Sequence, residues 1–249
     1  MPGVVSEQHP TVDLELFWQL ASSSKDVRHE AAKKLAQHLG TAAAESESEG
    51  PSVDLQYSLK RLIRGLASSR DGAREGFCLA LVQLLRTRPE IDGLECFALA
   101  KELLQVPKGG TSQEEKECHF GRLFGCSALV QAGRCALSET DATMALKNGS
   151  HEELLNWKIM EELIRLQNKK SYLAEGCCAT IAQALAPVPE ALLKHVFAPR
   201  LLKLWEGVEL EAMSPEQLDL MLRMELHYGS MVRSEPLAAP VTPGTAAVT

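Results

Sequence analysis

Between Asp54 and Ala67 the chain places Leu55, Leu59, Leu62, Ile63 and Leu66 at spacings of four, three, one and three residues. All five fall on one continuous face of a helix. Ser68-Ser69-Arg70-Asp71 follows as a turn. A second helix is predicted from there to about Thr87, with Phe77, Ala80, Leu81, Leu84 and Leu85 as its core stripe. Two apolar-faced helices joined by so short a turn must lie antiparallel.

The same theme recurs along the chain. Helices are predicted from Asp13 to Ala21, with Leu14, Phe17 and Trp18 as the buried stripe, and from the N-cap Ser24 to Leu39, with Gly40 as the stop. Others run from about Leu94 to Leu104 and from Ser112 to Gln131. Ser150 is predicted to cap a helix over His151–Gln167, with Glu153 completing a capping box. Tyr172–Ala186 is next, then Glu190–Trp205, which Pro199 is expected to kink or break. Ser214 followed by Pro215 starts a last helix reaching about His227. Residues 138–149 show no clear pattern. The chain holds 38 Leu but only 5 Ile, and 5% aromatics, which argues against an extensive sheet. The expectation is an all-α fold, an α-solenoid of HEAT- or armadillo-like antiparallel helix pairs recurring at about 40 residues. An irregular helical bundle is the second choice.

In domain terms, residues 1–12 read as a flexible N-terminus and residues 13–228 as one helical-repeat domain. A mobile acidic linker, TAAAESESEGPS, interrupts it at residues 41–52. Residues 229–249 form a Pro/Ala/Thr-rich tail without periodicity, predicted to be disordered. Within the linker, Ser46 lies in Ser-Glu-Ser-Glu and is a candidate phosphorylation site for an acid-directed kinase.

No stretch approaches the roughly 18–20 apolar residues of a membrane span, and residues 1–10 lack the basic and apolar regions of a secretory signal. Seven cysteines, an odd number set mostly among apolar helical residues, suit a reducing compartment. No zinc-type Cys/His spacing, nucleophile elbow or phosphate-binding loop occurs, so no catalytic residue, metal site or cofactor is expected. The pairs Glu114-Glu115, Glu152-Glu153 and Glu161-Glu162 are expected to face solvent. Leu81-Val82-Gln83-Leu84-Leu85 spells an LxxLL docking motif but coincides with the predicted core stripe.

One local feature departs from the net charge of −7. Between Leu55 and Pro89 the chain has seven cations, Lys60, Arg61, Arg64, Arg70, Arg74, Arg86 and Arg88, against Asp71 and Glu75. Lys60, Arg61 and Arg64 are expected opposite the Leu stripe. With Arg70 and Arg74 they form a candidate surface for nucleic acid or an acidic partner. A solvated face is the plainer alternative.

The stretch LQYSLKRLIRGLASSRDGAREGFCLALVQLL, Leu55 to Leu85, resembles the N-terminal helical-repeat region of the Myb-binding protein 1A family, also called DNA polymerase phi. Leu16-Phe17-Trp18 with Val27–Leu35, Gly121–Arg134 and Ser214–Leu218 resemble other segments of that family in the same order. The resemblance implies a nuclear and nucleolar protein of transcription regulation and ribosome biogenesis. It implies transcription factors and nucleolar proteins as partners, with no membrane and no small-molecule substrate. Of the acids near the motif, Asp71 is expected to be a helix N-cap rather than a polymerase metal ligand. The chain is therefore expected to be a non-enzymatic scaffold. Direct contact with ribosomal DNA or RNA through residues 60–74 is the alternative.

Overall fold

The computed structural model describes residues 11–41, 53–205, 208 and 210–228. Among the described residues it is all-helical, without strands. The helices are α1 (Glu15–Leu20), α2 (Lys25–Thr41), α3 (Val53–Gly65), α4 (Asp71–Thr87), α5 (Gly93–Leu103) and α6 (Ser112–Gln131). There follow α7 (Glu139–Asn148), α8 (Leu155–Lys169), α9 (Ala174–Leu185), α10 (Glu190–Leu192), α11 (Ala198–Trp205) and α12 (Pro215–Tyr228). No described helix is long and apolar enough to cross a membrane. Ser46 and the segments 1–10, 42–52 and 229–249 lie outside the described residues.

The hairpin α3/α4 forms as its apolar spacing dictates. Leu55, Leu62, Ile63 and Leu66 are buried against Ala80, Leu81, Leu84 and Leu85 in one core that extends from Val12 to Met224. Gly65 lies against the Phe77 ring, where a Cβ would collide, so the two helices can converge at the turn. From this hairpin outward, neighbours follow a regular order. In one row α2 packs on α4, α4 on α6, α6 on α9 and α9 on α12. In the other α3 packs on α5, and α5 on α8.

Side-chain capping fixes the starts of α5, α6, α7 and α12. Thr111 and Glu114 form a reciprocal capping box at the start of α6. Ser214 and Gln217 do the same for α12, with Pro215 at the first helical position. The Asp92 and Ser138 side chains cap α5 and α7.

Several local expectations fail for identifiable reasons. The buried face of α1 is Leu16, Phe17 and Leu20, whereas Leu14 and Trp18 are 47% and 68% exposed. Gly40, expected to end α2, lies inside it. Residues 139–148 are a helix, whose fully buried residues are Ala142 and Ala145, with half-buried Leu146 beside them, too little to give a clear apolar signal. Gly149, at φ 66°, closes it in the left-handed region. Ser150 caps nothing: residues 151–153 make a 3₁₀ turn, and α8 starts at Leu155 after an extended Leu154. Asp71 is the first residue of α4, not its cap, and pairs with Arg74. The run 190–205 is not broken at Pro199 but widens into a π turn at Leu193–Phe197 just before it. Pro199 has no N–H for the preceding turn, and the wider pitch accommodates its ring.

Candidate interaction surfaces

The basic run divides once folded. Lys60, Arg64 and Arg70 are exposed. Arg61, expected on the outer face, instead turns toward α1: its guanidinium sits 4.6 Å from the Phe17 ring centroid and donates to the Tyr57 hydroxyl. Arg74 is only 8% exposed. It donates to the Ser68 carbonyl at 2.7 Å, pairs with Asp71 and lies 4.7 Å above the Phe120 ring. The five candidate residues therefore do not form one continuous surface.

Several arginines beyond this set bind backbone carbonyls at or near helix ends. The last carbonyls of a helix have no partner within it and carry the negative end of its dipole. Arg88 donates to the Leu39 carbonyl near the end of α2. Arg134, after α6, donates to the carbonyls of Leu85 (2.6 Å), Arg88 (2.7 Å) and Pro89 (3.0 Å) beyond α4. Arg88 and Arg134 both reach back 49 residues to the end of the preceding helix in the same row. Arg86 returns the contact, donating to the Gln131 carbonyl at 2.6 Å. Arg28 donates to the carbonyls of Ser22 and Ser23 and pairs with Glu75 at 2.6 Å. Arg122 takes the Leu104 carbonyl at the end of α5.

The LxxLL leucines, Leu81, Leu84 and Leu85, are core residues. All seven cysteines are free and six are buried. Burial pushes the thiols of Cys78, Cys96, Cys135, Cys177 and Cys178 up to about 12, so they remain protonated and unreactive at neutral pH. Among the described residues no three His, Cys, Asp or Glu side chains converge to hold a metal ion.

One carboxylate expected at the surface is inside. Glu162 is 4% exposed. It accepts from Arg165 at 2.5 Å and Arg122 at 3.3 Å, with the Lys101 ammonium 4.0 Å away. These groups border a cleft of about 920 Å³ between α5, α6 and α8. Lys101, Arg122, Lys158, Arg165 and Lys169 line it, with His119 and the apolar Leu94, Phe97 and Val106. A second hollow of about 560 Å³ shares Phe97, Lys101, Lys158 and Arg165 with it. The sequence gives no local sign of this cluster, because its cations come from three separate helices.

The family described as DNA polymerase phi matches residues 57–244. The rDNA transcriptional regulator pol5 of Schizosaccharomyces pombe is 30% identical over 206 residues, covering 79% of this chain and 19% of that protein. Myb-binding protein 1A of Rattus norvegicus is 27% identical over 215 residues, covering 86% of this chain and 14% of that protein. Myb-binding protein 1A of Homo sapiens is 33% identical over 132 residues, 51% of this chain and 9% of the relative. The chain thus spans less than a fifth of the length of each of these relatives. No solved structure matches it.

Proposed function

This chain belongs to the DNA polymerase phi family, and from that premise we propose that it is a non-enzymatic nuclear scaffold, concentrated in the nucleolus, that acts in ribosomal-DNA transcription and ribosome biogenesis through protein contacts. Its partners on this reading are transcription factors and nucleolar proteins. The relatives support regulation and binding, one being named an rDNA transcriptional regulator and the other a Myb-binding protein.

The architecture that suits this role is an α-solenoid of HEAT- or armadillo-like pairs over residues 13–228. The helix order in the two rows supports it. So does the repeated arginine contact, Arg88 on α2 and Arg134 on α4, each spanning 49 residues. Stacked pairs of this kind offer long surfaces to partners. A two-metal polymerase, by contrast, needs converging carboxylates, and Asp71 is engaged by Arg74.

The observation that carries the protein-contact reading is the use of the basic run itself. Arg61, Arg74, Arg86 and Arg88 are committed to rings, carboxylates and carbonyls of the fold. Of the exposed cations in the run, Arg86 is engaged at the Gln131 carbonyl, which leaves Lys60, Arg64 and Arg70 to meet a phosphate backbone. Those three exposed cations are what favours the alternative, a direct contact with ribosomal DNA or RNA.

The two readings separate in affinity capture of the tagged chain from nuclear extract, with and without nuclease, across a salt series. Partners retained after nuclease and at moderate salt are expected. Loss of partners on nuclease treatment, with ribosomal RNA or DNA recovered and a steep salt dependence, would overturn the protein-contact reading.

A further inference from the structure

We propose that the cleft between α5, α6 and α8 is a docking site for an acidic amphipathic segment of a partner protein. The proposal extends the scaffold reading by naming where and what the chain binds, and it rests on that reading only for the partner's being a protein.

The first ground is charge placement. The chain carries a net charge of −7, yet Lys101, Arg122, Lys158, Arg165 and Lys169 gather around one concavity. Glu162 beneath them, with Glu95 and Glu102 at the cleft, leaves a local positive excess. Glu162 pairs with Arg122 and Arg165, and a guanidinium has five N–H donors and keeps several for a second anion. Lys101 and Lys169 are exposed, and Lys158 is half-buried.

The second ground is an unsatisfied group. His119 is 0% exposed, borders the cleft, and has no hydrogen-bond partner on either ring nitrogen. Burial first, and Lys169 next, hold its pKa below the ordinary value, so the ring is neutral at pH 7. A neutral imidazole offers one donor and one acceptor, and buried polar groups normally have partners. Both ring nitrogens are closed off from the cleft, so an occupant pairs with His119 only by displacing the side chains that cover the ring.

The third ground selects the occupant. The cleft wall is apolar at Leu94, Phe97, Ala98 and Val106, and Leu94 is 38% exposed. Cations beside an apolar strip complement a helix with carboxylates flanking an apolar stripe. Single-stranded nucleic acid would want accessible aromatic faces for its bases. Phe97, the aromatic at the cleft, is buried. The volume of about 920 Å³ lies in the range of ligand-binding clefts.

The test is a fluorescence-anisotropy titration of the purified whole chain. Its probe is a labelled helical peptide of about 20 residues with Glu flanking a Leu stripe. Comparison probes are the same peptide with Lys for Glu, a duplex DNA and a single-stranded RNA. The expected result is binding of the Glu peptide but not the Lys peptide. Binding should weaken about tenfold or more in Lys158→Glu/Lys169→Glu and stay unchanged in Lys60→Glu/Arg64→Glu. Lys158→Gln/Lys169→Gln, with a smaller loss in the same direction, serves if the reversed charges impair folding, as judged by thermal melting. Absence of Glu-peptide binding to the unmodified chain, or equal loss in the two double variants, overturns the proposal. So does a cleft variant that loses DNA or RNA binding while peptide binding is unchanged. The titration contains no extract, so its failure is separate from a nuclease-sensitive capture, which would remove the scaffold reading alone.

Discussion

The chain holds two sets of basic residues that behave in opposite ways. One is contiguous in sequence, Lys60 to Arg88, and is dispersed by folding: Arg61, Arg74, Arg86 and Arg88 are drawn to helix ends, rings and carboxylates, and Lys60, Arg64 and Arg70 remain outside without such a contact. The other is scattered over positions 101 to 169 and is assembled by folding around one cleft. Charge density along a sequence therefore misplaces the positive surface here. An arginine near a helix end meets carbonyls that water or a cation must satisfy. A cation whose side chain meets no such carbonyl, ring or carboxylate is available to a partner.

The largest expected effect tests the first half of this contrast. Arg134→Met removes three hydrogen bonds to the carbonyls of Leu85, Arg88 and Pro89 and leaves those acceptors between α4 and α6. Charged hydrogen bonds contribute about 1.5–3 kcal/mol each and are not additive when they share a donor, so the expected loss is about 3 kcal/mol. Arg88→Met, which frees the Leu39 carbonyl and Glu90, is expected to cost a comparable amount. Urea denaturation checks both, as a lower midpoint at unchanged slope. A loss below about 0.5 kcal/mol in both would place these arginines with ordinary surface residues and dissolve the contrast.

Helices with bulky inward faces were legible in the sequence. The Leu stripe of α3, the LxxLL core of α4 and the Ser214-Pro215 start of α12 stand where their spacing and caps put them. The failures have physical causes. The buried residues of α7 are two alanines, Ala142 and Ala145, joined only by half-buried Leu146, which gives periodicity little to weigh. In six-residue α1 both Phe17 and Trp18 are bulky, and only packing on α2 and α4 decides that Phe17 goes in and Trp18 out. The helix-end contact that Arg88 and Arg134 share leaves no mark as sequence similarity, because it rests on a single side chain at each place. Of the candidate residues, Lys60, Arg64 and Arg70 were placed correctly as exposed. The inward turn of Arg61 and Arg74 depended on Phe17 and Phe120, which lie far from them in sequence. Glu162 was missed because its neighbour Glu161 pairs at the surface with Arg200, and a Glu-Glu pair reads as solvent-facing.

Glu162 offers the next effect in size and bears on the second half of the contrast. Glu162→Gln keeps the shape but leaves Arg122 and Arg165 without their shared anion. Breaking a buried pair is costly, and the partial exposure of Arg165 and Lys101 moderates it, so about 2 kcal/mol is expected in the same denaturation experiment. Removing the internal anion also raises the positive potential of the cleft. The acidic peptide should then bind several-fold more tightly despite the lower stability. Loss of stability with weaker peptide binding would show that Glu162 shapes the cleft rather than competing with its occupant.

The smallest effects decide whether the outer cations belong to either set. Arg61→Ala removes a cation over the Phe17 ring and a bond to Tyr57, a partly exposed contact between α1 and α3, and about 1 kcal/mol is expected. Lys60→Ala, Arg64→Ala and Arg70→Ala should each stay within about 0.5 kcal/mol, because exposed side chains without a packing role rarely exceed that. Their importance is then read in binding alone. If nucleic acid contacts this face, each lost phosphate contact lowers the slope of log affinity against log salt by about one. The triple variant would show a fall of up to about three at nearly unchanged stability. An unchanged slope leaves these three as solvated charge, and the working positive surface is then the one that folding assembles from distant parts of the chain.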